Sequence, residues 1–213
     1  DIMKQFQAAL SYGTFGDTEV REQIGNAARG IVGNQQFSPD DQKKMAEFAA
    51  GALSKETSKP AKDIKHLLFL SSILDRALQI NPAYAGESEQ ILLEALKLSP
   101  TKQITYFELA QLYLATNHPD RAIALLKKAW DLEPKFTQAG INLEIIGLLT
   151  ANKEAVAEVQ AKINHDTLDE QSIYRLALTY QQTQDFASAL RLYEKLVKIN
   201  PGNAQYHATY AAL

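Results

Sequence analysis

Three segments of this chain end in the same way, and their spacing constrains the fold more than any other feature. EALKLSP (94–100), KAWDLEP (128–134) and KLVKINP (195–201) each close an apolar helical rhythm with a proline. Pro100 and Pro134 lie 34 residues apart; Pro134 and Pro201 lie 67 apart, one short of two further periods. Self-similarity at about 34 residues marks repeated helix–turn–helix units, which bury their apolar faces only by stacking on one another. The period therefore predicts a function carried by a surface that several units build together, with no single catalytic residue required.

Within the period, the second half of the chain is the clearest. Tyr106, Leu109, Ala110 and Tyr113 recur at three- and four-residue steps along one helix face, and the turn ATNHPD (115–120) interrupts the rhythm. A second helix carries Ala122, Leu125, Leu126, Ala129 and Leu132 up to Pro134. The last unit repeats the scheme with Ile173, Leu176, Ala177 and Tyr180, the turn TQDF, then Ala189, Leu192, Tyr193, Leu196 and Ile199. Small residues at Ala110 and Ala122, or at Ala177 and Ala189, are expected to let paired helices approach, and the large ones fill the space around that contact.

These residues resemble the tetratricopeptide repeat. Tyr106, Leu109, Ala110, Tyr113, Ala122, Leu126, Ala129 and Pro134 fill its eight slots, as do Ile173, Leu176, Ala177, Tyr180, Ala189, Tyr193, Leu196 and Pro201. The resemblance implies an all-α fold, a right-handed superhelical solenoid of about four helix–turn–helix units. Units are expected at about 62–100, 101–134, 135–167 and 168–201, with a terminal helix at 203–213. The unit ending at Pro100 fits if its turn, around Asn81, Pro82 and Tyr84, is lengthened by about five residues after a first helix near 63–80. Residues 1–60 are helical without visible repeats and form a divergent N-terminal region. There, Ser38, Pro39, Asp40 and Asp41 begin a helix, and KETSKPAK (55–62) reads as a loop.

The unit at 135–167 departs from the pattern. Gly140 stands in the large slot, Glu144 in the small slot and Gly147 in the tyrosine slot, and its second helix, KEAVAEVQAKIN, lacks the closing proline. A helical glycine costs about 1 kcal/mol against alanine. Drift, or close approach of a neighbour or ligand, both explain the glycines at this point.

Other chemistry finds little footing. A net charge of −3 and the absence of cysteine give no basic footprint for nucleic acid, no disulfide and no thiolate metal site. His66, His118, His165 and His207 form no HxxxH or HExxH pair, so neither metal nor cofactor is expected. The acidic pairs Asp40-Asp41 and Asp169-Glu170 sit where helices begin and complement the helix dipole. Gly25, Gly30 and Gly33 read as close packing or a frayed helix end, and Trp130 as packing against the next unit. No run reaches the roughly 18 apolar residues that membrane insertion needs. The first residue is Asp1, without an initiator methionine, so an excerpt or a processed product is expected.

What remains is the groove that the resemblance implies along the first helices. Ile104, Phe107 and Gln111 map to it from one unit, Gln138, Ile141, Asn142, Ile145 and Leu148 from the next, and Tyr174, Arg175 and Leu178 from the last. An apolar centre at Ile141, Ile145 and Leu148 suits a peptide or helix with apolar anchors; burial by this chain or by a second copy, through self-association, explains it equally. Asn142 and Arg175 match two positions of a carboxylate clamp found in part of the family, while Phe107, Gln111 and Gln171 depart from it. The resemblance thus implies a non-enzymatic module that binds a protein or peptide segment.

A second resemblance lies in ALSYGTFGDTEVREQI (9–24), ILLEALKLSP (91–100) and TKQITYFELAQLYL (101–114). Together they are similar to the soluble C-terminal repeat region of bacterial O-antigen polymerase or ligase-like membrane glycosyltransferases. That origin would again make this chain the non-catalytic part of a larger envelope protein.

Overall fold

Side-chain caps start half of the helices among the described residues, and three of the turns between them share one hydrogen-bond pattern. The computed structural model describes residues 2–13, 16–59, 63–135 and 137–213. Among these residues are twelve α-helices and no strand: α1 Ile2–Ser11, α2 Asp17–Ile31, α3 Pro39–Thr57, α4 Ile64–Arg76, α5 Tyr84–Leu98, α6 Gln103–Ala115, α7 Pro119–Leu132, α8 Thr137–Leu149, α9 Lys153–Lys162, α10 Glu170–Gln182, α11 Phe186–Ile199 and α12 Ala204–Ala212. A short 3-10 turn, His165–Thr167, joins α9 to α10. The fold class is the expected all-α solenoid of helix hairpins. No helix among the described residues is long and apolar enough to cross a membrane.

The caps follow the sequence. Ser38 accepts a hydrogen bond from the Asp41 amide (3.1 Å), with Pro39 at the first helical position of α3. Asp169 accepts from the Ser172 amide (2.8 Å) and Asp185 from the Ser188 amide (3.1 Å), opening α10 and α11. Both acidic pairs singled out in the sequence thus begin helices.

The turns carry a repeat that the slot pattern does not show. Asn117, Ala151 and Gln184 all have left-handed backbone, with φ of 62°, 56° and 63°. The residue before each is a threonine whose hydroxyl donates to the carbonyl four positions back: Thr116 to Leu112 (2.8 Å), Thr150 to Ile146 (2.7 Å) and Thr183 to Thr179 (3.0 Å). After the left-handed residue, the Asn152 amide donates to Gly147 O (2.8 Å) and the Asp185 amide to Tyr180 O (2.9 Å), the six-to-one bond of a Schellman ending. The unit at 135–167 therefore keeps the turn of its neighbours despite its altered slots.

The helices form two compact groups, Asp1–Asn117 and His118–Leu213. In the first, α2 pairs with α3 and α4 with α5, α3 packs along α4, and α6 lies on α5. Residues 17–57, which the sequence leaves outside the repeats, thus form a further hairpin. Its core is Ile24, Ala28, Met45, Ala49 and Leu53, closed by Leu70, Ile73 and Leu74 of α4. Helix α3 runs on to Thr57, into the expected loop, because Glu56 is buried as the partner of Arg21 (3.0 Å); residues 60–62 of that loop lie outside the described residues. Helix α4 stops at Arg76, short of Ile80, and hydrogen-bonded turns carry the chain on to Asn81.

In the second group, α8 pairs with α9 and α10 with α11. Ala177 and Ala189 are fully buried, and α12 caps α11 with Tyr206 turned inward. One contact is missing. The second helices α3, α5, α7 and α11 each pack on the first helix that follows, whereas α9 scarcely touches α10.

Candidate functional site

The first helices of the second group, α8 and α10, bring together the two clamp-like residues. Gln138 and Asn142 lie one turn apart on α8, and the Gln138 amide donates to Asn142 Oδ1 (3.1 Å). Arg175 of α10 donates through Nη2 to the same oxygen (2.7 Å). Arg175 makes no ion pair among the described residues, and Asp169 acts on it through charge alone. Burial lowers the guanidinium pKa, yet arginine stays cationic throughout the physiological range. A half-buried cation with one neutral acceptor retains several directed N–H groups for an anion.

The other mapped residues divide. Tyr174 packs its ring on Tyr206 (centroids 5.4 Å apart), and its hydroxyl accepts from Gln205 (3.1 Å), so it ties α12 to α10. Leu178 is 41% exposed beside Arg175's helix turn. Ile141 and Ile145 are 0% and 9% exposed and belong to the interior, so the apolar centre of α8 is not offered to solvent. Helix α8 has apolar residues on every side, interrupted by Gln138, Asn142 and Glu144, and packs on α7, α9 and α10, so periodicity alone does not choose its outer face. Leu148 is half-buried and lines a cleft beside α9. On α6, in the first group, Ile104 and Gln111 are exposed and Phe107 is half-buried.

The glycines of the altered unit serve close packing. A Cβ on Gly140 would stand 2.4 Å from Ile163 Cδ1 and 3.1 Å from Trp130 Cε2. Trp130 thus lies against the next unit, as the sequence suggests, with Lys162 Nζ 4.9 Å from its ring centroid. A Cβ on Gly147 would meet Val156 at 2.9 Å. Gly25 plays the same part in the first group, where the Phe69 ring would lie 2.4 Å from an added Cβ.

Glu144, which the sequence marks only as a departure from the small slot, has partners that the sequence reading did not anticipate. In the slot where Ala110 and Ala177 stand, this carboxylate is 0% exposed. Its Oε1 accepts from Tyr180 OH (2.9 Å) and Gln160 Nε2 (3.0 Å), and its Oε2 pairs with His165 Nε2 (2.9 Å). The hydrogen bond and charge of Glu144 raise the His165 pKa above its ordinary value against the effect of burial. Burial and the same carboxylate push the Tyr180 phenol up, so it stays a neutral donor. Among the described residues no group of three or more His, Cys, Asp or Glu side chains is placed to hold a metal ion.

Tetratricopeptide-repeat family models match residues 105–136 and 171–203. No curated protein matches the chain, and the resemblance to O-antigen polymerases rests on its three sequence segments alone. Solved structures share the fold at low identity. The crystal structure of MamA protein is 17% identical with a TM-score of 0.58, over 91% of this chain and 97% of that one. YrrB, described as a tetratricopeptide-repeat protein with an unusual peptide-binding site, is 14% identical with a TM-score of 0.54, over 98% of each chain. TTC0263, a thermophilic tetratricopeptide-repeat protein of Thermus thermophilus, is 16% identical with a TM-score of 0.53, over 79% of this chain and 90% of that one. Slot pattern, shared turns, family matches and structural likeness agree that the chain carries tetratricopeptide repeats, matched at residues 105–136 and 171–203, within an all-helical repeat fold.

Proposed function

We propose that this protein is a non-enzymatic binding module whose α8–α10 face receives an acidic group of a partner polypeptide on Arg175. The family's fold suggests a protein–protein interaction or scaffold role, and the peptide-binding description of YrrB is in keeping with it. The observation that supports the finer reading is the Arg175 guanidinium, held by Asn142 and, among the described residues, in no ion pair, with Asp169 acting on it through charge alone. Such a group gains a charge-assisted, bidentate partner at little cost in ordering, because Asn142 already fixes its position. Leu178, exposed on the same helix, supplies apolar contact beside it.

The test is fluorescence anisotropy with a labelled peptide of alternating leucine and glutamate, and with its glutamine counterpart. The glutamate peptide binds the wild type at least tenfold more tightly than the glutamine peptide. Arg175→Ala removes that preference, and Arg175→Lys restores part of it. Equal affinity of wild type and Arg175→Ala for the glutamate peptide disposes of the reading.

A further inference from the structure

The missing contact between α9 and α10 leaves a cleft of about 760 Å³ beside α11, lined in part by Val156, Gln160, His165, Tyr180, Arg191 and Leu192. Where the other second helices press on the next first helix, polar side chains bridge the space here. Gln160 of α9 reaches both Glu144 and Tyr180 OH (2.7 Å), and Tyr180 of α10 reaches Glu144 of α8. The turn between α9 and α10 is gripped from two sides. Glu144 holds its His165 ring, and Lys195 of α11 donates to the His165 carbonyl (2.7 Å) and pairs with Asp166 (3.4 Å).

We propose that Glu144 and His165 form a pH-operated clasp, which holds the α9–α10 turn against α8 and releases it when His165 loses its proton. The physical basis is the full burial of Glu144 with a single cationic partner. Its other two partners, Gln160 and Tyr180, are neutral donors. With His165 neutral, a carboxylate remains in the interior without a counter-charge, and the protein relieves that cost by letting the turn open to water. His165 has the exposure for such a change, since its side chain is 25% accessible at the edge of the cleft. The charged and titratable groups around it are Glu144 from α8, Tyr180 from α10, Lys195 from α11 and Asp166 of the turn itself, with Asp185 and Arg191 lining the same cleft; α9 contributes the neutral Gln160. The sign follows from the direction of the histidine shift. A group whose folded-state pKa is raised contributes its full stability below its unfolded value, about 6.5, and loses it as pH rises through the folded value. The clasp is closed in mild acid and loosens on the alkaline side, opening one wall of the cleft.

The experiment uses the intact chain. NMR titration of the His165 ring gives its pKa, and hydrogen exchange at the Ile163 amide, which bonds to Val159 O (2.8 Å), gives the opening constant of the turn. Trp130, the only tryptophan, packs at the same place as Ile163 and reports release by fluorescence. His165 titrates above 6.5, and the opening constant, corrected for intrinsic base-catalysed exchange, rises tenfold for each unit of that excess. Amides of Leu176 and Ala177 stay protected throughout, which distinguishes release of the turn from unfolding. Glu144→Gln returns His165 to 6.5 or below. His165→Gln keeps a donor without the charge and abolishes the pH dependence; it also serves if Glu144→Gln fails to fold. A wild-type His165 that titrates at or below 6.5 overturns the proposal, as does identical pH dependence of Ile163 protection in wild type and His165→Gln.

Discussion

Replacing Gly140 by alanine should destabilise the protein, although alanine is the better helix former. The helical preference of alanine over glycine is worth about 0.5–1 kcal/mol in favour of the variant. Against it stands the space. The new methyl would lie 2.4 Å from Ile163 Cδ1 and 3.1–3.3 Å from two atoms of the Trp130 indole. The isoleucine methyl can rotate away, but the indole is fully buried and rigid, and overpacking of this kind costs about 1–3 kcal/mol. The net expectation is a loss of about 1 kcal/mol. Gly51 is the internal control: it lies within α3, with nothing within 4 Å of an added Cβ, so Gly51→Ala should gain about 0.5–1 kcal/mol. Urea denaturation followed by far-UV circular dichroism and by Trp130 fluorescence compares the two. The Gly140 variant should also shift the tryptophan emission. If Gly140→Ala is as stable as the wild type or more so, the close approach of Trp130 to α8 is wrong.

Two further outcomes follow from the backbone and from burial. Ala151 holds left-handed backbone that costs a non-glycine residue about 1 kcal/mol, so Ala151→Gly should raise stability by up to that amount in denaturant melts, whereas an exposed helical alanine changed to glycine lowers it. Burial, with the charge of Glu108 adding to it, raises the Asp75 carboxyl to about 6. Its folded state binds the proton more tightly than the unfolded state, so its ionisation lowers stability as pH rises from about 4 through 6. Asp75→Asn should therefore stabilise at pH 7 by at most about 3 kcal/mol, nearer 1–2 after solvent screening of a partly exposed group, and should be neutral below pH 4. Stability curves of the two proteins that run parallel from pH 4 to 7 would contradict this.

The legible part of the fold was the part built from size alternation. Ala177 and Ala189, with Tyr180 and Tyr193 around them, announce two helices in close contact, because only small residues permit that approach and only large ones fill its flanks. Residues 17–57 also pair, but through Ile24, Ala28, Met45 and Ala49, which fill no recognisable slots. The residues mapped to a groove differ in where they lie. Asn142 and Arg175 meet as their positions suggest, while Ile141 and Ile145 are interior because α8 has neighbours on most sides. Glu144 read as a worn slot, when a carboxylate in a small-residue position of a packed helix demands donors. Gln160, His165 and Tyr180 were all within reach in the sequence. A second signal was present as well: Thr150, Ala151 and Asn152 repeat the threonine, left-handed residue and cap of the TQD turn at 183–185, marking the altered unit as a repeat independently of its slots.

Charge reversal at Arg175 probes the proposed selection of an acidic partner by the α8–α10 face. Anisotropy titrations of wild type and Arg175→Glu against alternating leucine–glutamate and leucine–lysine peptides provide the measurement. The expected result is an exchange of preference, in which the wild type favours the glutamate peptide at least tenfold and Arg175→Glu favours the lysine peptide. Two proteins that rank the peptides in the same order would place the binding surface elsewhere.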